Sequence, residues 1–172
     1  MGDIHKILHL IQPYVEDKTI LPRSTADIEA SIADWVVVER EGSIVACSAL
    51  IPYENKMAEL ACVAVSAEVR KAGTGDAMLG FQLRKAMNLG IEKVFALSTI
   101  TMDWFKERGF VPGDKNDLPP TKLKSYNEKR KPKIMIKSLT DRRLVAYSRC
   151  CLTHKLLLKT MTHGNLAWVA RS

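Results

Sequence analysis

The chain has 172 residues, 47% apolar and 26% charged, the profile of a globular protein large enough for one buried core. No apolar run approaches bilayer length and the opening "MGDIHKILHL" lacks the layout of a secretion signal, so no membrane role and no export are expected. The net charge of +7 would suit nucleic acid, but six of the 26 Lys/Arg and one of the 19 Asp/Glu fall in residues 140–172, so the basicity sits mostly in the tail and no nucleic acid is expected on the main body.

Four cysteines, with Cys150 and Cys151 adjacent, show neither a disulfide framework nor zinc spacing, which suits a reducing compartment. Ile4, Ile7, Leu8 and Ile11 recur at helical spacing, with Asp3 as the expected N-cap and Pro13 near the end. After the polar stretch "EDKTILPRS", Ser24 to Asp27 reads as a capping box ahead of Ile28 and Ile32. "WVVVER" (35–40), a turn at Glu41-Gly42 and "SIVACSALI" (43–51) predict a hairpin, and "MAELACVAV" (57–65) a central strand.

The pattern then breaks at "EVRKAGTGDAM" before a helix predicted from about Gly75 to Leu89, whose Leu79, Leu83, Ala86 and Met87 share one face. "KVFALS" (93–98) reads as a buried strand, "MDWFKERG" as a short helix ending at Gly109, and "FVP" as extended chain. Residues 113–133 are predicted to be a long polar loop, and "KIMIKS" (133–138) the last strand. For residues 140–172, a basic extension, either a short helix around 152–161 or no regular structure remains open. The elements add up to one α/β domain over residues 1–139 with a mixed, mostly antiparallel sheet flanked by helices.

The break carries Arg70-x-x-Gly73-x-Gly75 between an apolar strand and an amphipathic helix. A loop running into a helix N-terminus offers unpaired N–H groups and a partial positive charge, and glycines let the backbone approach phosphate oxygens with positive φ. The spacing fits neither Walker A nor the dinucleotide fingerprint G-x-G-x-x-G. Read without its context, the bare pattern fits an ordinary glycine-rich turn with a solvated arginine better.

In its context of strand, loop, helix, strand, helix and strand, the motif resembles the pyrophosphate loop of the GNAT acetyltransferases. "LPRS", "ACSALIPYENKMAELACVAVS", "LSTITMDWFKERGF" and "DLPPTKLKSYNEKRKPK" narrow this, being similar in order and spacing to the acetyltransferase domain of the bacterial- and plant-type N-acetylglutamate synthases over residues 3 to about 139. The resemblance implies a GNAT fold and transfer of acetyl from acetyl-CoA to the amine of L-glutamate, the first step of arginine biosynthesis, with no metal.

It also implies site residues. Arg70, Lys71, Ala72, Gly73, Thr74 and Gly75 would grip the diphosphate, and backbone groups of Cys62, Val63 and Val65 would bind the pantetheine arm and polarise the thioester. Arg23 and Arg130 match the arginines that hold glutamate, whose carboxylates suit bidentate guanidinium forks, and Cys62 would touch the same substrate. Glu59 matches the base that deprotonates the amine, and Ser98 a residue that protonates the departing thiolate. Read alone, Glu59 is also a strand-end residue reaching solvent, Ser98 a helix cap, and each arginine a solvated loop residue.

If Glu59 and Cys62, three residues apart, both face substrate, the strand must carry a one-residue bulge. Cys62 reads as a packed wall, since direct attack on acetyl-CoA needs no acyl-enzyme. His5 and His9 read as surface histidines, and Trp104, Phe105 and Phe110 as core aromatics.

The sequence departs from the family in three places. It begins at Met1-Gly2-Asp3 with no residues for a first strand, lacks the amino-acid-kinase-like domain, and has Pro132 where relatives often carry a serine that touches substrate. Pro132 offers neither hydroxyl nor N–H. Two alternatives therefore stand beside the enzyme: a non-catalytic acyl-CoA-binding or regulatory module, and an acetyltransferase for another amino-acid-like amine. A tail-directed binder of nucleic acid or anionic surfaces is a third. The resemblance leaves a homo-oligomer open, and places the protein in the cytoplasm, or in the plastid stroma for a plant-type source.

Overall fold

The computed structural model describes residues 2–139, 157–162 and 165–168. In chain order they form α1 (Asp3–Glu16), α2 (Thr25–Ala30), β1 (Trp35–Arg40), β2 (Ser43–Tyr53), β3 (Met57–Val65) and α3 (Thr74–Asn88). There follow β4 (Lys93–Ser98), α4 (Met102–Glu107), β5 (Val111–Gly113), α5 (Pro120–Lys124), β6 (Lys133–Ser138), β7 (Leu157–Thr162) and β8 (Asn165–Trp168). They gather into two compact units: residues 2–49 and 62–81 with β7 and β8, and residues 50–61 with 82–139.

In the first unit, α1 is capped one residue earlier than expected: Gly2 is the N-cap and Asp3 the first helical residue, where its carboxylate favours the positive end of the helix. Ile7 and Ile11, one turn apart, are buried, and the helix runs through Pro13 to Glu16. The expected capping box of α2 is present. Asp27 N donates to Ser24 Oγ at 3.1 Å, and Ser24 N donates back to Asp27 Oδ2 at 2.7 Å.

β1 and β2 pair antiparallel from Trp35 opposite Ala49 to Arg40 opposite Ser43. Their connection is Glu41-Gly42 with φ of 52° and 80°, a two-residue turn whose left-handed backbone matches the strand twist. A register shift after Val38 leaves Val45 as an extra residue on β2. Val36, Val38, Val45, Ala46, Val69 and Met78 form one apolar cluster, each large side chain worth roughly 1.5–3 kcal/mol of burial.

The other edge of β1 pairs antiparallel with β7, from Val36 opposite Thr160 to Glu39 opposite Leu157, and β7 pairs with β8. Residues 157–162 are therefore strand and not the second half of a short helix. The rest of the 140–172 extension lies outside the described residues, apart from β8.

In the second unit the strand order is β3-β4-β6-β5. The N-terminal half of β3 runs parallel to β4, with Glu59 opposite Phe95. β4 with β6 and β6 with β5 are antiparallel. The sheet is thus mixed and mostly antiparallel. Met57, Phe95, Leu118 and Ile134 form the core, with Tyr53 and Tyr126 packed on it.

The stretch expected as one long loop is partly ordered by local chemistry. Asp114 caps a short 3₁₀ turn, and Pro120 starts α5 at the position where a missing N–H costs least. Thr121 N donates to Glu54 Oε1 at 2.6 Å, tying that helix to the turn between β2 and β3. Phe105 and Phe110 are buried as expected, with rings 5.1 Å apart. Trp104 is half-buried, with the Arg108 guanidinium 4.2 Å above its ring.

Candidate active site

The first unit holds the phosphate-loop candidates. After β3 the chain makes a 3₁₀ turn at Ala67–Val69, passes Arg70 in helical conformation and reaches Gly73 at φ 73°. A Cβ at Gly73 would meet nothing within 4 Å, so backbone handedness and not crowding asks for glycine there. Gly75 departs from the expected left-handed loop glycine, because it lies in the first turn of α3. Thr74, the first residue of that helix, is fully buried, and its Oγ1 has no hydrogen-bond partner.

The first-turn amides of a helix lack intrahelical acceptors. With the Thr74 hydroxyl, the open backbone at Gly73 and the Arg70 cation, they make a donor set whose chemistry fits a diphosphate. Lys71 and Ala72 are exposed beside it. A cavity of about 480 Å³ adjoins Arg70, lined also by Lys6, His9, Tyr14 and Ser66, with no carboxylate among the described residues that line it.

Tyr14, which the sequence reading passed over, organises this end of β3. Its hydroxyl donates to Val65 O at 2.5 Å, and it accepts from Val65 N at 3.2 Å and from Arg70 Nη2 at 3.2 Å. Both backbone polar groups of Val65 are thus engaged by a side chain, against the expectation that this residue presents its backbone to a ligand. Val63 is half-buried against the apolar cluster, and Arg23 is half-buried just before the Ser24 cap.

Cys62 has φ 52° in mid-strand, a left-handed conformation that a non-glycine residue rarely adopts. This breaks the regular geometry of β3 at Cys62 as a bulge does, and Glu59 and Cys62 are each buried. Cys47 Sγ donates to Cys62 O at 3.8 Å. Burial pushes the Cys47 thiol well above its ordinary value, and neighbouring Cys62 adds to this, so Cys47 is a packing residue and not a nucleophile.

The second unit holds the acid–base candidates. Glu59 is 6% exposed on a strand of apolar residues, so its charge must be compensated. Lys122 Nζ donates to Glu59 Oε2 at 2.7 Å, and the Tyr53 hydroxyl donates to the same oxygen at 3.2 Å. Lys122 comes from α5, held by the Glu54 contact, and the Tyr53 ring lies 5.7 Å from Phe95. The strand-end reading of Glu59 as a solvated residue is therefore incorrect. Neither Lys122 nor Tyr53 has a local sequence signal: one is among many lysines of its segment, and the other follows a proline.

Ser98, at the end of β4, accepts from Thr101 N at 2.9 Å, and its Oγ is 2.8 Å from Thr101 Oγ1. It braces the residue that precedes α4 and is not itself the N-cap, which is Thr101. Arg130 is half-buried in a turn whose backbone N–H donates to Asn127 Oδ1 at 3.1 Å. Pro132 is buried, and its carbonyl accepts from the Tyr126 hydroxyl at 2.8 Å. His5 and His9 are exposed, and among the described residues no group of three metal-ligating side chains converges.

Residues 3–110 match the family model of the acetyltransferase (GNAT) family. An amino-acid acetyltransferase of Actinobacillus pleuropneumoniae is 43% identical over 140 residues, covering 81% of this chain and 32% of that protein. The Pasteurella multocida amino-acid acetyltransferase is 40% identical over 144 residues, covering 83% and 33%. The N-acetylglutamate synthase of Neisseria gonorrhoeae, in a crystal structure with coenzyme A and N-acetyl-glutamate, superposes with a TM-score of 0.78 at 36% identity, over 81% of this chain and 33% of that one. The chain spans about a third of the length of these relatives.

Proposed function

Because the chain belongs to the GNAT acetyltransferase family, we propose that it transfers acetyl from acetyl-CoA to the α-amine of L-glutamate by direct attack, giving N-acetylglutamate and CoA. The observation that carries this reading is Glu59, a carboxylate kept inside an apolar strand and compensated by Lys122 and Tyr53. The Neisseria gonorrhoeae structure, with its bound coenzyme A and N-acetyl-glutamate, supports the choice of both substrates.

An ammonium has no lone pair with which to attack a thioester, so a base must first remove a proton. Glu59 is that base. The freed amine attacks the thioester carbon, the carbonyl electrons move to oxygen, and their return expels the CoA thiolate. Ser98 supplies the proton to the departing sulfur. The second proton leaves the amine nitrogen as the amide forms and restores the Ser98 hydroxyl.

The Arg70–Gly75 segment holds the CoA diphosphate through main-chain amides, the Thr74 hydroxyl and the Arg70 charge. Arg23 and Arg130 take the side-chain carboxylate of glutamate, and the backbone at Cys62 and Val63 takes the pantetheine arm. Attack is direct, and no cysteine is acylated.

The deciding experiment is a thiol-release assay with acetyl-CoA and a panel of amino acids. Glutamate-dependent release, with N-acetylglutamate identified by mass, is the expected outcome. Calorimetric acetyl-CoA binding with no amino-acid-dependent release would instead select a non-catalytic acyl-CoA module, and turnover of another amine alone would reassign the substrate.

A further inference from the structure

The ion pair between Lys122 and Glu59 sets a condition on any guest of this site. Their side chains are only 16% and 8% exposed, so neither charge is well solvated, and separating them without replacement leaves a buried ion uncompensated. A bare amine reaching Glu59 would displace the lysine ammonium and strand it. A bare carboxylate reaching Lys122 would strand Glu59. A guest that carries both an ammonium and a carboxylate compensates both.

We propose that Lys122 is the reader of the substrate α-carboxylate, and that an α-amino acid zwitterion inserts into the Lys122–Glu59 pair. Its ammonium replaces the lysine against Glu59, and its carboxylate replaces Glu59 against the lysine. One internal pair becomes two pairs with the guest, and no charge is left over. The geometry suits the exchange, because lysine and carboxylate meet in a single contact at 2.7 Å and the two groups of an α-amino acid are joined through one carbon.

The pair also comes from separate elements. Glu59 is fixed on β3, whereas Lys122 rides on a five-residue helix anchored at its first turn by the Thr121–Glu54 bond. A flexible four-carbon lysine stem can follow a displaced partner without moving its helix. Tyr53 keeps one hydrogen bond on Glu59 Oε2 during the exchange, so the carboxylate remains oriented.

This inference rests on the amino-acid acetyltransferase reading and assigns to one residue the recognition of the α-carboxylate. Free α-amino acids enter. Amines without an adjacent carboxylate do not, and nor do peptide N-termini, whose α-carbonyl is an uncharged amide. A hydrogen-bonded charged site rejects an analogue lacking its partner far more strongly than an apolar pocket rejects a missing methylene.

The test compares L-glutamate with L-isoglutamine, its α-amide, and with 4-aminobutyrate, which lacks the α-carboxylate, in the full chain and in Lys122→Met and Lys122→Arg. The parent chain is expected to prefer glutamate over isoglutamine in kcat/KM by at least about 30-fold, in keeping with a bidirectional loss of charge pairing. Lys122→Met should lower kcat/KM for glutamate and collapse that preference to within about three-fold, while Lys122→Arg retains most of it.

A structural role alone would reduce both amines in parallel and keep their ratio, and that result overturns the proposal, as does a parent chain that acetylates isoglutamine as well as glutamate. Circular dichroism and coenzyme A binding by calorimetry establish that each variant is folded. If Lys122→Met does not fold, the Lys122→Arg and parent ratios decide. If the parent chain releases no thiol with any amine, the catalytic reading fails, and calorimetric binding of glutamate against isoglutamine decides the Lys122 assignment by itself, equal affinities refuting it.

Discussion

Tyr14 holds Val65 at both of its backbone polar groups, donating from its hydroxyl to the carbonyl and accepting from the amide, while Arg70 donates to the same phenol oxygen. One oxygen on α1 therefore links the end of β3 to Arg70, the first residue of the Arg70-x-x-Gly73-x-Gly75 motif. Tyr14→Phe removes all three contacts and keeps the ring. The expected cost is about 1–3 kcal/mol of stability, from backbone groups left without their partner, together with a severalfold weaker Kd for acetyl-CoA. Denaturant titration and calorimetry measure the two effects. Unchanged affinity would separate Tyr14 from the cofactor end of the site.

The left-handed backbone at Cys62 sets a stability order that hydrophobicity alone would not give. A β-branched side chain tolerates positive φ least, whereas valine is otherwise the better strand residue. Cys62→Val is expected to be less stable than Cys62→Ala by at least about 1 kcal/mol, although it restores more buried surface. Urea midpoints at constant m-value check the order. The reverse order would mean that the strand relaxes to regular alternation.

Glu59→Gln keeps shape and removes the proposed base. It should lower kcat by about 10²–10⁴-fold, the usual contribution of a positioned general base. Acetyl-CoA binding should be unchanged. Steady-state kinetics beside calorimetry separates these quantities, and retained kcat would move the proton acceptor elsewhere.

The Glu54 contact brings a pH dependence of known sign. Its hydrogen bond from the Thr121 backbone holds the carboxyl below its ordinary value of 4.5. Since the native form binds the proton less readily than the unfolded form, the contact stabilises above that ordinary value and is lost as pH falls through the lower native one. The stability difference between the parent chain and Glu54→Gln should accordingly be constant from pH 7 to 5 and shrink below about 4.5. A difference that persists to pH 3 would contradict the assignment.

Much of this architecture is written in short-range pattern. The Ser24–Asp27 box, the Glu41-Gly42 turn and the Ile7–Ile11 face each need only residues within one turn of one another, and each forms as expected. An interruption of β3 is expected from the sequence only on the condition that Glu59 and Cys62, spaced by three on a strand of period two, face one substrate; the structure shows the left-handed backbone at Cys62. What escaped the sequence is long-range. Lys122 meets Glu59 across 63 residues, and Tyr14 meets Val65 across 51, so no local window contains either pair.

Smaller misreadings have local causes. Gly75 sits two residues after Gly73 and shares its composition cue, yet the helix already starts at Thr74, so only one of the two glycines is left-handed. Residues 157–162 mix leucines with threonines, and an apolar run of that length does not distinguish helix from strand. Pairing with β1 decides it.

That pairing has a cost for anyone who trims the protein. With β2 on one side and β7 on the other, the three consecutive valines of β1 have both flanks satisfied. Ending the chain at Leu139 would strip one flank and offer Val36 to Glu39 as an open seam, to which a second copy could add its own backbone. Such a shortened chain is expected to gain mass in sedimentation as its concentration rises. Residues 157–162 thus cover an edge of β1 that the rest of the described chain leaves open.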